Sequence, residues 1–233
     1  MASFKQILIL FSIGVLALGC GGGSAAQRRG FVPEPGDLLL QDLDCGAMCD
    51  AIEKVTTGHK RANFSHVGIA ARNDAGEVVV IESVSAGVKI TALQDFLARS
   101  LDAAGRPKAA VGRLKKRYRD LVAPAIEQAL SLKGKPYDKV FAIDNDAYYC
   151  SELVYEAFMR ANDGKPVFKL KPMTFNDPDT GTTLSAWENY FSELGVPIPE
   201  GRLGINPGGI SRSPVLTMVH KYVASSRSCL KHN

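Results

Sequence analysis

The sequence predicts an α+β domain in which an antiparallel sheet packs against helices. Residues 65–71 and 78–81 are mainly apolar runs on either side of Asn73-Asp74-Ala75-Gly76, and a turn signal between two strands is typical of a β-hairpin. Four apolar residues repeat along one face of a predicted helix farther along the chain: Leu153, Val154, Ala157 and Phe158. A strand hairpin in one region and helices in another favour a single α+β core.

Local patterns predict the remaining elements of this domain. Strands are predicted at residues 37–41, 87–91 and 109–114. Helices are predicted at residues 47–55, 93–97, 121–132 and 184–194. Gly134-Lys135-Pro136-Tyr137 ends the third of these helices, because Gly and Pro interrupt helical structure. Residues 171–183 are rich in Pro, Asp, Thr and Gly and are predicted to form a loop, and no clear element is predicted after Pro207.

The bulk composition is that of an ordinary globular chain. The 233 residues are 45% hydrophobic and 22% charged, with a net charge of +4, and this length suffices for one full core or two small ones. Lys and Arg are spread along the chain apart from Lys115-Lys116-Arg117, so no basic stripe is present. A nucleic acid partner is therefore not expected.

The first residues have the pattern of an export signal. The apolar run 7–18 is about 18 Å long as a helix, which is too short to cross the ~30 Å hydrocarbon core but suits a signal peptide. Ala17-Leu18-Gly19-Cys20 resembles a bacterial lipoprotein signal, in which the peptide is cut before a Cys that receives lipid. We therefore predict a signal peptide at residues 1–19, lipid on Cys20, a flexible tether at 20–32 and one domain at 33–233.

The expected location follows from this signal. A lipidated Cys20 would hold the protein on a membrane of the cell envelope, on the periplasmic side, because several acyl chains anchor stably. Two alternatives stay open, namely secretion with cleavage near Ala25-Ala26 and a retained N-terminal anchor.

The later cysteines stand in different settings. Cys45 and Cys49 are four residues apart, so one helical turn can bring them close enough for a disulfide in an oxidising compartment. A zinc site is not expected, because His59 is the one further ligand near them. Cys229 lies in a polar tail, either as a stray thiol or as a partner for another Cys.

Cys150 is the candidate nucleophile. It begins a predicted helix, where backbone N–H groups and the helix dipole favour the reactive thiolate. The alternative is an inert Cys that packs at a helix start. Tyr149 is a candidate supporting residue that would place a hydroxyl near the thiol, and the alternative is an aromatic ring that only packs.

His66 and Glu82 form a second candidate pair. Folding the hairpin about residues 73–76 pairs positions whose numbers sum to about 148 to 150, so His66 lies opposite Glu82 or a near neighbour. A carboxylate that ends an apolar strand is costly unless it is exposed or paired. It would orient the imidazole as in a catalytic triad, and the alternative is a weak surface pair.

Four stretches carry a resemblance to a known family. They are Gly36-Asp37-Leu38-Leu39-Leu40-Gln41, Ser65-His66-Val67-Gly68-Ile69, Ile81-Glu82-Ser83, and Gly134-Lys135-Pro136-Tyr137-Asp138 followed by Tyr148-Tyr149-Cys150-Ser151-Glu152-Leu153-Val154-Tyr155. In this order they resemble the permuted papain-like amidases of the YiiX/YaeF type, relatives of NlpC-type peptidases and lecithin:retinol acyltransferases. The resemblance covers about residues 36–158, and permutation accounts for a His strand that precedes the Cys helix.

The resemblance implies a permuted papain-like, NlpC-like fold with the nucleophile at a helix N-terminus. It implies a thiol hydrolase in which Cys150 attacks an amide carbonyl, His66 accepts the proton and Glu82 orients His66. The implied substrate is a cell-wall peptide or an N-acyl compound, and no metal or organic cofactor is required. Lipoprotein signals also occur in this family, which supports the interpretation of Cys20.

Three alternatives remain at this point. The same Cys–His pair could serve a lipid acyltransferase or lipase, which would need an apolar groove that excludes water. The chain could instead be an inactive binding lipoprotein on a papain-like fold. A redox protein using Cys45 and Cys49 ranks last, because thioredoxin-like motifs have two residues between the cysteines and here there are three. Residues 165–233 lie outside the resemblance, so substrate choice is not predicted.

Overall fold

The computed structural model describes residues 30–222, and from Phe31 onward these residues belong to one compact unit. The strands of this part are β1 Leu38–Gln41, β2 His66–Arg72, β3 Val78–Val84, β4 Gly87–Ala92, β5 Ala109–Leu114, β6 Lys171–Pro172, β7 Leu203–Gly204 and β8 Leu216–Lys221. The helices are α1 Ala47–Val55, α2 Leu93–Ala98, α3 Val122–Ser131, α4 Cys150–Ala161, α5 Ser185–Leu194 and α6 Pro207–Ser211. The predicted N-terminal signal, Cys20 and Cys229 lie outside the described residues.

Six strands form one antiparallel sheet in the order β4-β3-β2-β1-β5-β8, which confirms the α+β prediction. In the hairpin of β2 and β3, Ile69 pairs with Ile81 and Arg72 pairs with Val78, within the predicted register. β3 continues three residues beyond its predicted end because β4 pairs with it from Val79 to Val84. Glu82 and Ser83 therefore lie inside a strand.

Both faces of the sheet are buried. One face packs against α3 and α4 and forms the main core with strand residues of alternating positions: Leu38, Leu40, Val67, Ile69, Ile81 and Val88. The opposite face carries a smaller cluster of Leu39, Ala70, Val80 and Phe96, in which Phe96 comes from α2. Because side chains alternate between faces along a strand, the apolar strands of this chain supply both clusters.

A third cluster joins α1 to α5. Its buried members are Ala51, Phe175, Trp187 and Phe191, and the Phe175 ring packs edge to face on the rings of Trp187 and Phe191. Cys45 and Cys49 are joined by a disulfide at the start of α1, so the pairing that the sequence left open is formed. Helix α1 is thereby tied at its N-terminus and packs against α5.

Two regions differ from the sequence predictions. The segment 171–183, predicted to be a loop, contains β6, which pairs with β7. The segment after Pro207, for which no element was predicted, forms α6 and the edge strand β8. The pairing of β8 with β5 shifts register between Val111 and Gly112. This irregularity locally interrupts the ladder between the two strands, which weakens any simple pattern in the sequence of β8. No helix within residues 30–222 is long and apolar enough to cross a membrane.

Candidate active site

Cys150 is the first residue of α4 and is the free cysteine of the described residues. Its side chain is mostly buried, but it still lines a groove on the surface of the domain. Helix α4 is held against the sheet by four residues that are fully buried: Leu153, Val154, Ala157 and Phe158. The first-turn N–H groups of α4 have no partners inside the helix, so they provide a positive end beside the thiol.

The segment before Cys150 is anchored to strands β3 and β4. The Ser83 hydroxyl donates to the main-chain carbonyl of Tyr148, and the Tyr148 N–H donates to the Pro136 carbonyl at 3.0 Å. The Gly134 N–H in turn donates to the Val88 carbonyl at 2.9 Å. Residues 134–137, part of the sequence motif that resembles the family, therefore hold the segment before Cys150 against the sheet.

His66 and Glu82 contact each other in the interior. His66 Nε2 lies 2.6 Å from Glu82 Oε2, and the two residues are 5% and 0% exposed. If the hairpin register continues to His66, Val84 stands opposite, so Glu82 is the diagonal neighbour on the same face. Gly68 makes room for this contact, since a Cβ there would lie 2.4 Å from Val80 Cγ1 and 3.3 Å from Glu82 Cβ.

The Glu82 carboxylate has further partners that sequence reasoning missed. Arg99 donates from Nη1 to Oε2 at 2.9 Å and from Nη2 to Oε1, and the Thr91 hydroxyl donates to Oε1. Burial alone would raise the pKa of Glu82, but the hydrogen bonds and charges of His66 and Arg99 outweigh it and lower the pKa to about 2. Glu82 is therefore ionised at neutral pH. No local spacing in the sequence indicates Arg99 or Thr91.

The His66 ring is placed between its carboxylate and the thiol. Burial lowers the pKa of His66, but the neighbouring Cys150 and Glu82 outweigh it and raise the pKa to about 9. Nε2 faces Glu82, which leaves Nδ1 as the ring nitrogen available to the thiol. The Cys150 thiol is close enough to the His66 ring to raise its pKa, so the two side chains lie in one site.

Tyr149 takes a packing position with one specific hydrogen bond. Its hydroxyl accepts from the Ile205 N–H at 3.1 Å, and its ring packs edge to face on Phe141. Burial raises the pKa of Tyr149, so its hydroxyl stays protonated. The side chain thus links the residue before the nucleophile to β7 and the turn that follows it, and it also lines the groove beside Cys150.

The groove beside Cys150 is mainly apolar and aromatic. It encloses about 220 Å³, and its apolar walls include Ile52, Val55, Tyr137, Phe141, Pro172, Met173, Phe175, Trp187 and Ile205. Lys171 and Arg212 are the only charged residues among the described residues that line it, and both are exposed. The buried indole N–H of Trp187 has no acceptor among residues 30–222. These walls come from α1, from the segment between α3 and α4, from α5 and from the other residues after 165.

No group of three or more His, Cys, Asp or Glu side chains within residues 30–222 is arranged to hold a metal ion. Cys45 and Cys49, which the sequence analysis considered as zinc ligands together with His59, are joined to each other by a disulfide.

The chain is similar to known proteins over most of its length. A family model described as permuted papain-like amidase enzyme, YaeF/YiiX, C92 family, matches residues 32–220. The uncharacterized protein YiiX of Escherichia coli strain K12 is 28% identical over 195 residues, which cover 81% of this chain and 87% of that protein. A crystal structure described as metalloprotein yiiX from Escherichia coli O157:H7 matches with a TM-score of 0.65 at 24% identity, over 82% of this chain and 98% of that chain. These findings confirm the fold that the sequence resemblance implies.

Proposed function

The chain belongs to the permuted papain-like amidase family, YaeF/YiiX, C92, and on this premise we propose that it is a thiol hydrolase that cleaves an amide bond through an acyl-enzyme intermediate. Cys150 is the proposed nucleophile, His66 the proton carrier and Glu82 the carboxylate that orients His66. At the level of the family, an amidase of papain-like fold is the activity to expect.

One observation carries the assignment of residues. His66 Nε2 and Glu82 Oε2 lie 2.6 Å apart in the interior, next to a thiol at a helix N-terminus. Both side chains are buried, so they do not form a surface ion pair. Burying such a charged pair costs free energy, which favours a functional role for it. A carboxylate on Nε2 leaves Nδ1 toward the thiol, which is the arrangement that a thiolate–imidazolium pair needs.

The proposed reaction has two stages. The Cys150 thiolate attacks the carbonyl carbon of the amide, a C–S bond forms, and the carbonyl oxygen takes the negative charge near the Cys150 N–H. The imidazolium of His66 donates its proton to the amide nitrogen as the C–N bond breaks, and the amine leaves. His66 then takes a proton from water, the resulting hydroxide attacks the thioester, and the C–S bond breaks to return the thiolate and release a carboxylic acid.

Among the possible amides, the groove favours an N-acyl compound over a cell-wall peptide. Its walls are apolar and aromatic, and none of its described lining residues is a carboxylate that could pair with an amine. An apolar acyl chain would bury surface there at about 25 cal/mol per Å².

The same apolar groove favours one second candidate, a lipid acyltransferase or lipase. A transferase would pass the acyl group from Cys150 to an alcohol or amine other than water. The two functions differ in their products, because a hydrolase releases a free acid and a transferase yields a new ester or amide.

Thiol reactivity tests the proposed site first. We expect iodoacetamide to alkylate Cys150 well below its ordinary pKa of ~8.5, as measured across a pH series by mass spectrometry of the Cys150 peptide. His66→Ala should slow this alkylation, and Cys150→Ser should abolish it. Reactivity like that of a free thiol, unaffected by His66→Ala, would support the inactive binding lipoprotein instead.

Product analysis then tests the substrate. Fatty acyl amides of increasing chain length and short peptide amides are incubated with the enzyme, with and without an added alcohol. We expect free acid and amine from the longer acyl amides, and none with Cys150→Ser. Cleavage of the peptide amides alone would contradict the acyl assignment, and an ester formed at the expense of free acid would favour the transferase.

We further propose that the protein is a lipoprotein of the cell envelope, attached through lipid on Cys20. The pattern Ala17-Leu18-Gly19-Cys20 after a short apolar run supports this. Cells grown with an alkyne-labelled fatty acid should label the wild-type protein, and Cys20→Ser should remove both the label and the membrane association. A protein that is unlabelled and recovered with the secreted fraction would favour cleavage near Ala25-Ala26.

A further inference from the structure

The Glu82 carboxylate is held by a two-pronged contact from Arg99. Both guanidinium Nη atoms donate to it, Nη1 to Oε2 at 2.9 Å and Nη2 to Oε1. Thr91 adds a hydroxyl donor on Oε1, so each oxygen of this fully buried carboxylate has at least two partners once His66 is counted. A planar fork of this kind fixes the plane of the carboxylate as well as its charge.

Arg99 is itself fixed by α2, which it directly follows. Its guanidinium lies over the Phe96 ring, 5.0 Å from the centroid, and the Phe96 ring lies 5.8 Å from the His66 ring. The Phe96 carbonyl accepts from Gln41 Nε2 at 2.8 Å, and Gln41 is the partner of His66 in the β1–β2 ladder. One short helix thus places an aromatic ring beside His66 and a cation behind Glu82.

We propose that Arg99 is a positioning residue, which keeps Glu82 ionised and oriented so that His66 presents Nδ1 to Cys150. Arg99 does not line the groove, so it acts through Glu82 and touches no substrate. The inference rests on the proposed function, because it assigns Arg99 a part in the same triad.

The physical need for a cation follows from burial. An isolated buried carboxylate takes up a proton rather than keep its charge, and a protonated Glu82 would give His66 a partner without charge. His66 alone cannot secure the ionised form, since it also serves the thiol and changes charge during the reaction. Arg99 remains cationic throughout, so the carboxylate keeps one permanent counter-ion.

Charge and geometry can be separated by two substitutions. Arg99→Lys keeps the cation and loses the planar fork, whereas Arg99→Met loses both. Arg106→Met is the matched control, because Arg106 also pairs with a carboxylate, Asp102, but on the exposed side of the domain. In the full-length protein, the rate of Cys150 alkylation is measured across a pH series, together with the melting temperature of each variant.

We expect Arg99→Met to move the whole pH profile of alkylation to higher pH by about half a unit or more, because loss of the cation beside Glu82 favours the protonated form of that carboxyl and leaves the His66 imidazolium without a charged partner. Its maximal rate should fall about tenfold, the scale of a lost hydrogen bond to a charged group. Arg99→Lys should keep the position of the profile and lower only its maximum. Arg106→Met should leave both unchanged.

A double-mutant cycle decides whether Arg99 acts through Glu82. On a Glu82→Gln background, Arg99→Met should cause little further change, because the group that Arg99 positions is gone. Equal effects on both backgrounds, or a wild-type profile for Arg99→Met, would overturn the inference. If Arg99→Met does not fold, the double variant and Arg99→Lys are used instead. A maximal alkylation rate for Arg99→Lys equal to that of wild type would then contradict the positioning role of Arg99. Failure of the proposed function is distinguishable, since His66→Ala would then leave Cys150 alkylation unchanged.

Discussion

The Ser83 hydroxyl donates to the main-chain carbonyl of Tyr148, and this contact ties the strand of the candidate triad to the segment of the nucleophile. Ser83 follows Glu82 in β3, so the two side chains point to opposite faces of the sheet. One face receives His66 and Arg99, and the other receives the residue two positions before Cys150. A single strand therefore sets the position of both halves of the site.

Removal of the Ser83 hydroxyl should separate these halves. We expect Ser83→Ala to lower the free energy of unfolding by about 1–3 kcal/mol, because the buried Tyr148 carbonyl loses its side-chain donor. Cys150 alkylation should slow roughly tenfold as the thiol moves relative to His66. Ser85→Ala, in the exposed turn after β3, is the control and should change neither. Alkylation at the wild-type rate in Ser83→Ala would show that the anchor does not position the thiol.

Gly68 should be intolerant of a side chain. A Cβ there would lie 2.4 Å from Val80 Cγ1 and 3.1 Å from the Ile81 carbonyl oxygen, so β3 would have to move and carry Glu82 away from His66. We expect Gly68→Ala to cost about 1–3 kcal/mol in chemical denaturation and to slow Cys150 alkylation.

Gly112→Ala is the matched control, because it adds a methyl group to another strand of the same sheet, and its nearest contact is the Leu216 side chain at 3.2 Å. This variant should lose less stability and keep the alkylation rate. Equal losses in the two variants would mean that the effect at Gly68 is one of strand packing in general.

Glu152 should make stability depend on pH. It lies in the first turn of α4, it is 1% exposed, and one of its oxygens has no partner in the described part of the chain. Burial raises its pKa from 4.5 to about 9. Between these two pH values the folded state keeps a proton that the unfolded state loses. The contribution of Glu152 to the free energy of unfolding is therefore largest below pH 4.5 and declines as the pH rises to about 9.

We expect the free energy of unfolding of wild type to fall relative to Glu152→Gln over this range, by at most about 1.4 kcal/mol per pH unit. Urea titrations at several pH values measure this difference. Glu188→Gln changes an exposed glutamate in the first turn of α5, and its difference from wild type should stay flat. If the difference in free energy of unfolding between wild type and Glu152→Gln also does not change with pH, Glu152 is not protonated in the folded state.

The disulfide should support the groove rather than the triad. Helix α1, which carries Cys49 in its first turn, contributes Ile52 and Val55 to the groove wall and packs against α5. A variant with Cys45→Ser and Cys49→Ala should lose about 2 kcal/mol of stability, the value expected for so short a closed loop.

In this double variant, alkylation by iodoacetamide should stay near the wild-type rate, because that small reagent does not need the groove. The KM for a long-chain acyl amide should rise several-fold, with kcat less affected. Parallel losses in alkylation and in kcat would instead place the effect of the disulfide on the triad.

The local parts of the site could be predicted from the sequence. The turn at residues 73–76 sets the register of β2 and β3, and the alternation of side chains then brings His66 and Glu82 to one face. The apolar repeat after Cys150 likewise predicted a helix that begins at the thiol. These inferences depend on residues that are close in sequence, where turn chemistry and periodicity act directly.

The distant contacts could not be predicted. Arg99 and Thr91 reach Glu82 from α2 and β4, and neither has a spacing that indicates a role. Ser83 and Tyr148 are 65 residues apart. The groove collects side chains from α1, from the segment between α3 and α4, from α5 and from other residues after 165. Strand β8 completes the sheet at an edge where few of its side chains are buried.

The sequence by itself thus determined the hairpin, the helix at Cys150 and the candidate triad residues, because each follows from a short-range pattern. It also placed Cys45 and Cys49 within reach of each other and left their bond open. Only the tertiary structure decided which groups surround the triad and what lines the groove. The reason is that packing brings together segments whose separation along the chain follows no period. Contacts between such segments therefore have no pattern in the sequence from which they could be predicted.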